Sequence, residues 1–148
     1  MIVEGSETLD ADPQALVAVL GDPERLVEAL PRADGFAWID RPGGAFEATI
    51  RPAIALGEVP VRTRWQRGAG TGPGTVVYAV EGRTDEHAVA LDVELAVRTG
   101  ADGGAVADWR AACRFTGTVN SVGQRVLAPV VAAQARLVLR AAASHGGI

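Results

Sequence analysis

The sequence predicts an α+β fold, a curved antiparallel sheet of about six to seven strands wrapped around one long C-terminal helix, with two short helices after the first strand. Three observations predict it. From Phe36 to Phe115 apolar residues recur at every second position, with turn residues between the runs. From about Asn120 to Ala143 the apolar spacing lengthens to three or four. Between these limits and the N-terminus, the pair Asp-Pro occurs twice, each time just ahead of a short apolar run.

Each element follows from its residues. Ile2 to Leu9 has strand length with mixed patterning. Asp12 and Pro13 then open a helix, the aspartate as cap and the proline at a first position where its missing N–H costs nothing. Leu16, Val17, Val19 and Leu20 supply an apolar face, and Gly21 ends it. Asp22 and Pro23 repeat the start, with Leu26, Val27 and Leu30 apolar before Pro31 stops the second helix.

Phe36 to Asp40 reads as a short strand closed by Arg41-Pro42-Gly43-Gly44. Phe46, Ala48 and Ile50 alternate with Glu47, Thr49 and Arg51, and after a turn at Gly57 to Pro60, Val61, Thr63 and Trp65 alternate with Arg62, Arg64 and Gln66. Thr75 to Glu81 is strand-like. Val89, Leu91, Val93, Leu95 and Val97 then alternate with Asp92, Glu94 and Arg98. The last strand sets Ala107, Trp109, Ala111, Cys113 and Phe115 against Asp108, Arg110 and Arg114. Consecutive alternating strands with short connections favour an antiparallel meander. In the final helix Val122, Val126, Val130, Ala133 and Leu137 are the expected sheet-facing set, Pro129 removes one backbone hydrogen bond, and Ser144 to Ile148 are expected to fray.

Composition narrows the function. A chain of 148 residues without repeat or linker reads as one domain, residues 1–148. Its net charge of −4 disfavours nucleic acid, which needs a clustered excess of cations. All 14 basic side chains are arginine, so no lysine serves Schiff-base chemistry. A lone cysteine, Cys113, permits no internal disulfide and suits a reducing, cytoplasmic compartment. No secretory leader pattern opens the chain, and no apolar run reaches the roughly 18 to 20 residues that span a bilayer. Membrane contact is expected to be peripheral at most, at the inner face.

Several stretches resemble the G-subunit family of carbon monoxide dehydrogenase, within the START-like, helix-grip superfamily. Val3-Glu4-Gly5-Ser6, then Asp22-Pro23-Glu24-Arg25-Leu26 and Leu30-Pro31, are similar to its N-terminal pattern. Phe46 to Trp65, with Gly57 at the centre, resembles its hairpin. Trp109 through Phe115, followed by Gly117-Thr118-Val119-Asn120-Ser121-Val122-Gly123-Gln124-Arg125-Val126-Leu127, is similar to the way its last helix begins. The resemblance implies a protein without catalysis of its own, associated with a molybdenum hydroxylase of the carbon monoxide dehydrogenase type in recruitment, maturation or ligand delivery. It also implies a lipophilic ligand, quinone or lipid.

The residues themselves offer little chemistry. His87 falls in a turn and His145 in the tail, with no convergent partners for acid–base or metal work. The run Gly68 to Gly74 lacks the lysine and following helix of a phosphate loop and reads as a hairpin connection, able to act as a flap. Asp92, Glu94 and Asp108 are expected on a solvated face beside arginines. Arg51, Arg62 and Arg64 are expected to cluster, either as a solvated face or as a patch for anionic lipid or an acidic partner. No catalytic residue, metal site or cofactor is expected.

What remains is apolar. Phe46, Ile50, Trp65, Tyr78, Trp109, Cys113, Phe115, Val126, Val130 and Leu137 are the candidate lining of a cavity between sheet and helix. Small residues there (Ala48, Ala107, Ala111, Ala133) either let the helix settle closer or leave a space. The expected partner is a hydrophobic small molecule, and a homodimer is left open. The alternatives are a small cyclase- or hydrolase-type enzyme using Tyr78 or Asp40, and an adaptor with a filled core.

Overall fold

A computed structural model describes residues 1–54, 57–117 and 124–146. The elements run β1 (Ile2–Leu9), α1 (Pro13–Gly21), α2 (Pro23–Leu26), a 3₁₀ turn (Val27–Ala29), β2 (Asp34–Asp40), β3 (Ala45–Ile50), β4 (Ala53–Ile54), β5 (Gly57–Glu58), β6 (Val61–Gly68), β7 (Thr75–Arg83), β8 (His87–Thr99), β9 (Ala105–Gly117) and α3 (Gln124–Gly146). Seven strands form one antiparallel sheet in the order β1-β9-β8-β7-β6-β3-β2, and β4 pairs with β5 alone. The α+β helix-grip architecture is therefore present, with the seventh strand supplied by β1, which pairs with β9 from Ile2↔Ala112 to Leu9↔Ala105.

Local chemistry sets the helix starts. The Asp12 carboxylate accepts from the Ala15 N–H at 3.1 Å, and the Asp22 carboxylate accepts from the Glu24 N–H at 3.1 Å, with Pro13 and Pro23 each at a first helical position. Leu16, Val19 and Leu20 of α1 are completely buried. They close one end of the sheet's concave face, where α1 packs on β7, β8 and β9. Each such side chain contributes roughly 1.5–3 kcal/mol of burial.

Strand parity follows the alternation. Trp65, Val80, Leu91 and Cys113 stand in one cross-strand row, and Val76, Leu95, Trp109 and Gly5 in another, all inward. The Trp109 ring lies across Gly5, where a Cβ would meet its Cζ2 at 2.9 Å, so the glycine is required by close approach. Several boundaries differ from the sequence reading. His87 opens β8 rather than occupying the turn, Gly57–Glu58 forms a strand where the sequence predicts a turn, and α3 continues through His145, which the sequence places in a fraying tail.

The larger correction concerns α3. Val130 is 37% and Leu137 54% exposed, so they lie on its outer face. Leu139, Ala142 and Ala143 are buried, and Ala128, Val131, Ala132 and Ala135 pack against the core. About two-thirds of the positions of this helix are apolar or alanine, so a three-to-four spacing can be drawn through more than one face. Val122 and the Val126 side chain lie outside the described residues. Leu127–His145 is also long and apolar enough to cross a membrane by length and composition, contrary to the sequence reading, because only Arg136 and Arg140 interrupt it.

Candidate functional site

Exposure along the concave face is graded. At the α1 end, Val76, Tyr78, Leu95, Ala107 and Trp109 are buried. Toward the other end, Ile50, Val61, Val89, Leu91, Val93 and Phe115 are only half-buried, although all point inward. The position of α3 explains the gradient. It is seated on β1, α1 and the 3₁₀ turn, and no comparable contact joins it to β6, β7 or β8 among the described residues. Of its core-facing positions, Ala128, Ala132 and Ala135 carry methyl groups only, whereas Val131, Val138 and Leu139 carry branched side chains. Apolar side chains along this part of the inner face of β6, β7 and β8 are thus left half-buried.

The aromatic side chains of this face pack on one another. Phe36, Trp38, Phe46, Trp65 and Tyr78 form a continuous aromatic ladder, with Phe36 and Phe46 at 5.3 Å, Phe46 and Trp65 stacked at 5.6 Å, and Trp65 edge-on to Tyr78 at 5.7 Å. The polar atoms within it are spoken for. Thr63, the one buried polar side chain in the described core, donates to the Ala48 carbonyl at 2.6 Å and accepts the Trp65 indole N–H at 2.7 Å. The Tyr78 hydroxyl donates to the Leu20 carbonyl at 2.8 Å. Burial pushes the Tyr78 phenol far above its usual value, against a smaller lowering by Arg67. The Cys113 thiol, 3.7 Å from the Ala111 carbonyl, is likewise pushed up by burial.

The candidate lining residues thus separate into groups. Phe46, Tyr78, Trp109 and Cys113 are packed core, at 0%, 1%, 7% and 3% exposure. Ile50, Trp65 and Phe115 are half-buried on the inner face. Val130 and Leu137 face away from it. Tyr78 is placed as a structural strut to α1, and Asp40 accepts the Gly43 N–H at 3.3 Å in the β2–β3 turn, so the two do not converge. Leu91 and Val93 are also half-buried on the inner face, and a selection weighted toward aromatic side chains passes over them. Strand parity alone puts them beside Cys113 and Ala111.

Sequence reasoning also misses Glu7. Its side chain is 16% exposed, and α3 grips it with Arg140 at 3.1 Å and Arg136 at 3.8 Å. The two arginines lie one helical turn apart, so a single carboxylate holds them both.

The convex face is charged. Asp108 accepts from Ser6 at 2.7 Å and from Arg98 at 3.0 Å, and these bonds hold its carboxyl below the usual range. Arg114 stands 3.9 Å from Asp92. Arg51 leaves the expected cluster to bind Asp34 at 2.7 Å, and Arg83, directly opposite Arg62, takes its place. A shallow groove of about 140 Å³ runs over this face above Ala79 and Ala90.

A sequence model of the CoxG family, the G-subunit of carbon monoxide dehydrogenase, matches residues 5–143. Among solved structures, a conserved protein from Geobacillus kaustophilus superimposes with a TM-score of 0.85 at 16% identity, over 99% of this chain and 95% of that one. A START superfamily protein from Mycobacterium smegmatis gives 0.75 at 8% identity, over 97% and 95%. The di-domain aromatase/cyclase StfQ of the steffimycin biosynthetic pathway gives 0.66 at 14% identity, over 97% of this chain and 50% of that one. These likenesses establish a START-like fold. A search of curated proteins returns no match.

Proposed function

Because this chain belongs to the CoxG family of carbon monoxide dehydrogenase, we propose that it is a non-catalytic binding protein that holds a lipophilic molecule between its sheet and α3. The observation that carries this reading is the half-buried state of Leu91 and Val93, which with Ile50, Trp65 and Phe115 would line an apolar slot along the inner face of β6, β7 and β8. Leu91 and Val93 are inward-facing residues on a central strand, where a filled core would bury them. The neighbouring polar atoms of Thr63, Trp65 and Tyr78 are already bonded within the protein. The lining therefore offers apolar area, at about 25 cal/mol per Å² before the costs of binding, and few directed hydrogen bonds. A quinone or lipid with an aliphatic tail suits such a surface.

The family name supports an accessory role beside a molybdenum hydroxylase of the carbon monoxide dehydrogenase type, in recruitment, maturation or ligand delivery, within the cytoplasm or at the inner membrane face. Native mass spectrometry of gently purified protein, followed by organic extraction, tests the ligand reading. An added mass released as a quinone, isoprenoid or lipid is the expected result. An apo mass, together with failure to bind added menaquinone or phospholipid in detergent-free buffer, would sink it.

A further inference from the structure

The convex face of the sheet divides into two electrostatic halves. On the β8, β9 and β1 side each outward arginine has an acidic neighbour: Arg98 with Asp108 at 3.0 Å, Arg114 with Asp92 at 3.9 Å, Arg110 with Glu4 at 4.0 Å. On the β6–β7 side Arg62 and Arg83 are register partners, two exposed cations directly opposite each other on adjacent strands. Like charges in that position repel. Their row continues as Ala88 on one side and as Thr49 and then Asp34 on the other. That one acid is already bound to Arg51 at 2.7 Å. The nearest carboxylates, Glu47 and Glu81, stand in the next row, on either side of Arg64. No ion pair joins Arg62, Arg64 or Arg83 to an acid among the described residues.

Beside this pair runs the convex groove of about 140 Å³, floored by Ala79 and Ala90 and bordered by Arg64, Glu81, Asp92 and Arg114. The two alanines leave room between the charged rims for one small inserted side chain.

We propose that the β6–β7 half of the convex face is a docking surface for an acidic segment of a partner protein. One carboxylate of the segment bridges Arg62 and Arg83, and a neighbouring small, uncharged side chain enters the groove over Ala79 and Ala90. An anionic bilayer fits the surface less well. The outward residues there include Thr49, Gln66, Ala79 and Ala90, with Val77 the largest apolar one, so the face has no bulky apolar group to insert. The surface lies on the opposite side of the sheet from the slot, so it stands or falls independently of the lipophilic ligand.

The test is titration of ¹⁵N-labelled protein with a synthetic peptide of alternating glutamate and alanine, with sodium phosphate and phosphatidylglycerol vesicles as separate probes. The expected result is a set of amide shifts confined to β6, β7 and the adjoining part of β8. Affinity should weaken as salt is raised from about 20 to about 200 mM. R62Q/R83Q should cost about tenfold in peptide affinity and R98Q/R110Q less than about twofold. The single variants R62Q and R83Q give the same reading should the double variant fail to fold. Equal losses in both double variants, or no shifts at all, would overturn the proposal. So would phosphate matching the peptide, which makes the pair a simple anion trap, or vesicles binding where the peptide does not, which makes it a lipid surface. Organic extraction of R62Q/R83Q reads the slot separately, and ligand occupancy there should match that of the unaltered chain.

Discussion

At the scale of single residues, the concave face is organised by side chains that satisfy one another. Trp65 could present an indole N–H to a ligand, but Thr63 takes it, and Thr63 in turn donates to Ala48. Tyr78 is the counterpart at the closed end, where its hydroxyl satisfies a carbonyl of the last turn of α1. Its elevated pKa has a consequence for stability. The unfolded chain releases the phenolic proton near the usual value of 10.0, whereas the folded chain retains it well beyond. Stability from this group is therefore complete below about pH 10 and falls as pH rises above it. Tyr78→Phe should lower stability by about 1 kcal/mol at neutral pH through the lost hydrogen bond. It should also flatten the alkaline decline, read as urea midpoints at about pH 8 and about pH 11. Both chains should carry Cys113→Ala, because the buried thiol contributes a decline of the same sign.

At the scale of elements, strands and helix differ in how far the sequence determines them. A strand has two faces, and a charged residue such as Asp92 or Arg110 settles which one is inside. The inward sets of β3, β6, β7, β8 and β9 are therefore legible without coordinates. In α3 the arginines mark only part of the circumference, and valine, leucine and alanine occupy the rest. Which apolar stripe is buried depends on Glu7, a carboxylate on β1 whose inward orientation mixed patterning hides. Parity places the slot residues Leu91 and Val93 on the inner face, but their accessibility follows from where α3 sits, which no local pattern encodes. Glu7 thus acts as the seat of the helix. Glu7→Gln should cost about 1–3 kcal/mol, between the values for exposed and buried ion pairs. Hydrogen exchange should accelerate across α3 more than across β7 and β8. Uniform acceleration throughout the chain would show that Glu7 contributes only to global stability.

At the scale of the whole molecule, one end of the concave face is sealed by α1, while at the other the lateral seat of α3 leaves apolar side chains half-buried. The asymmetry separates the two roles, since the closed end supplies the fold and the other end would supply the apolar surface of the proposed binding. Leu91→Trp places a bulky ring in the slot without touching α1. Ligand recovered by extraction should fall at least about tenfold while the melting temperature moves by a few degrees at most, the modest cost expected where space already exists. A large drop in melting temperature with ligand retained would instead place Leu91 in tight core.

The pairing of β1 with β9 bears on how the chain acquires its structure. Ser6 and Asp108 meet across 102 residues, and the strand between β1 and β8 in the sheet is the last of the sheet to be synthesised. During synthesis the first strand must wait, unpaired, until nearly all of the sheet has left the ribosome. Until then β8 presents a bare edge of 13 residues, open to pairing with another chain. Such long-range closure makes folding slow relative to helical proteins of the same size. The stage most vulnerable to aggregation is therefore the interval between release of β8 and capture of β9, when a chaperone would be most useful.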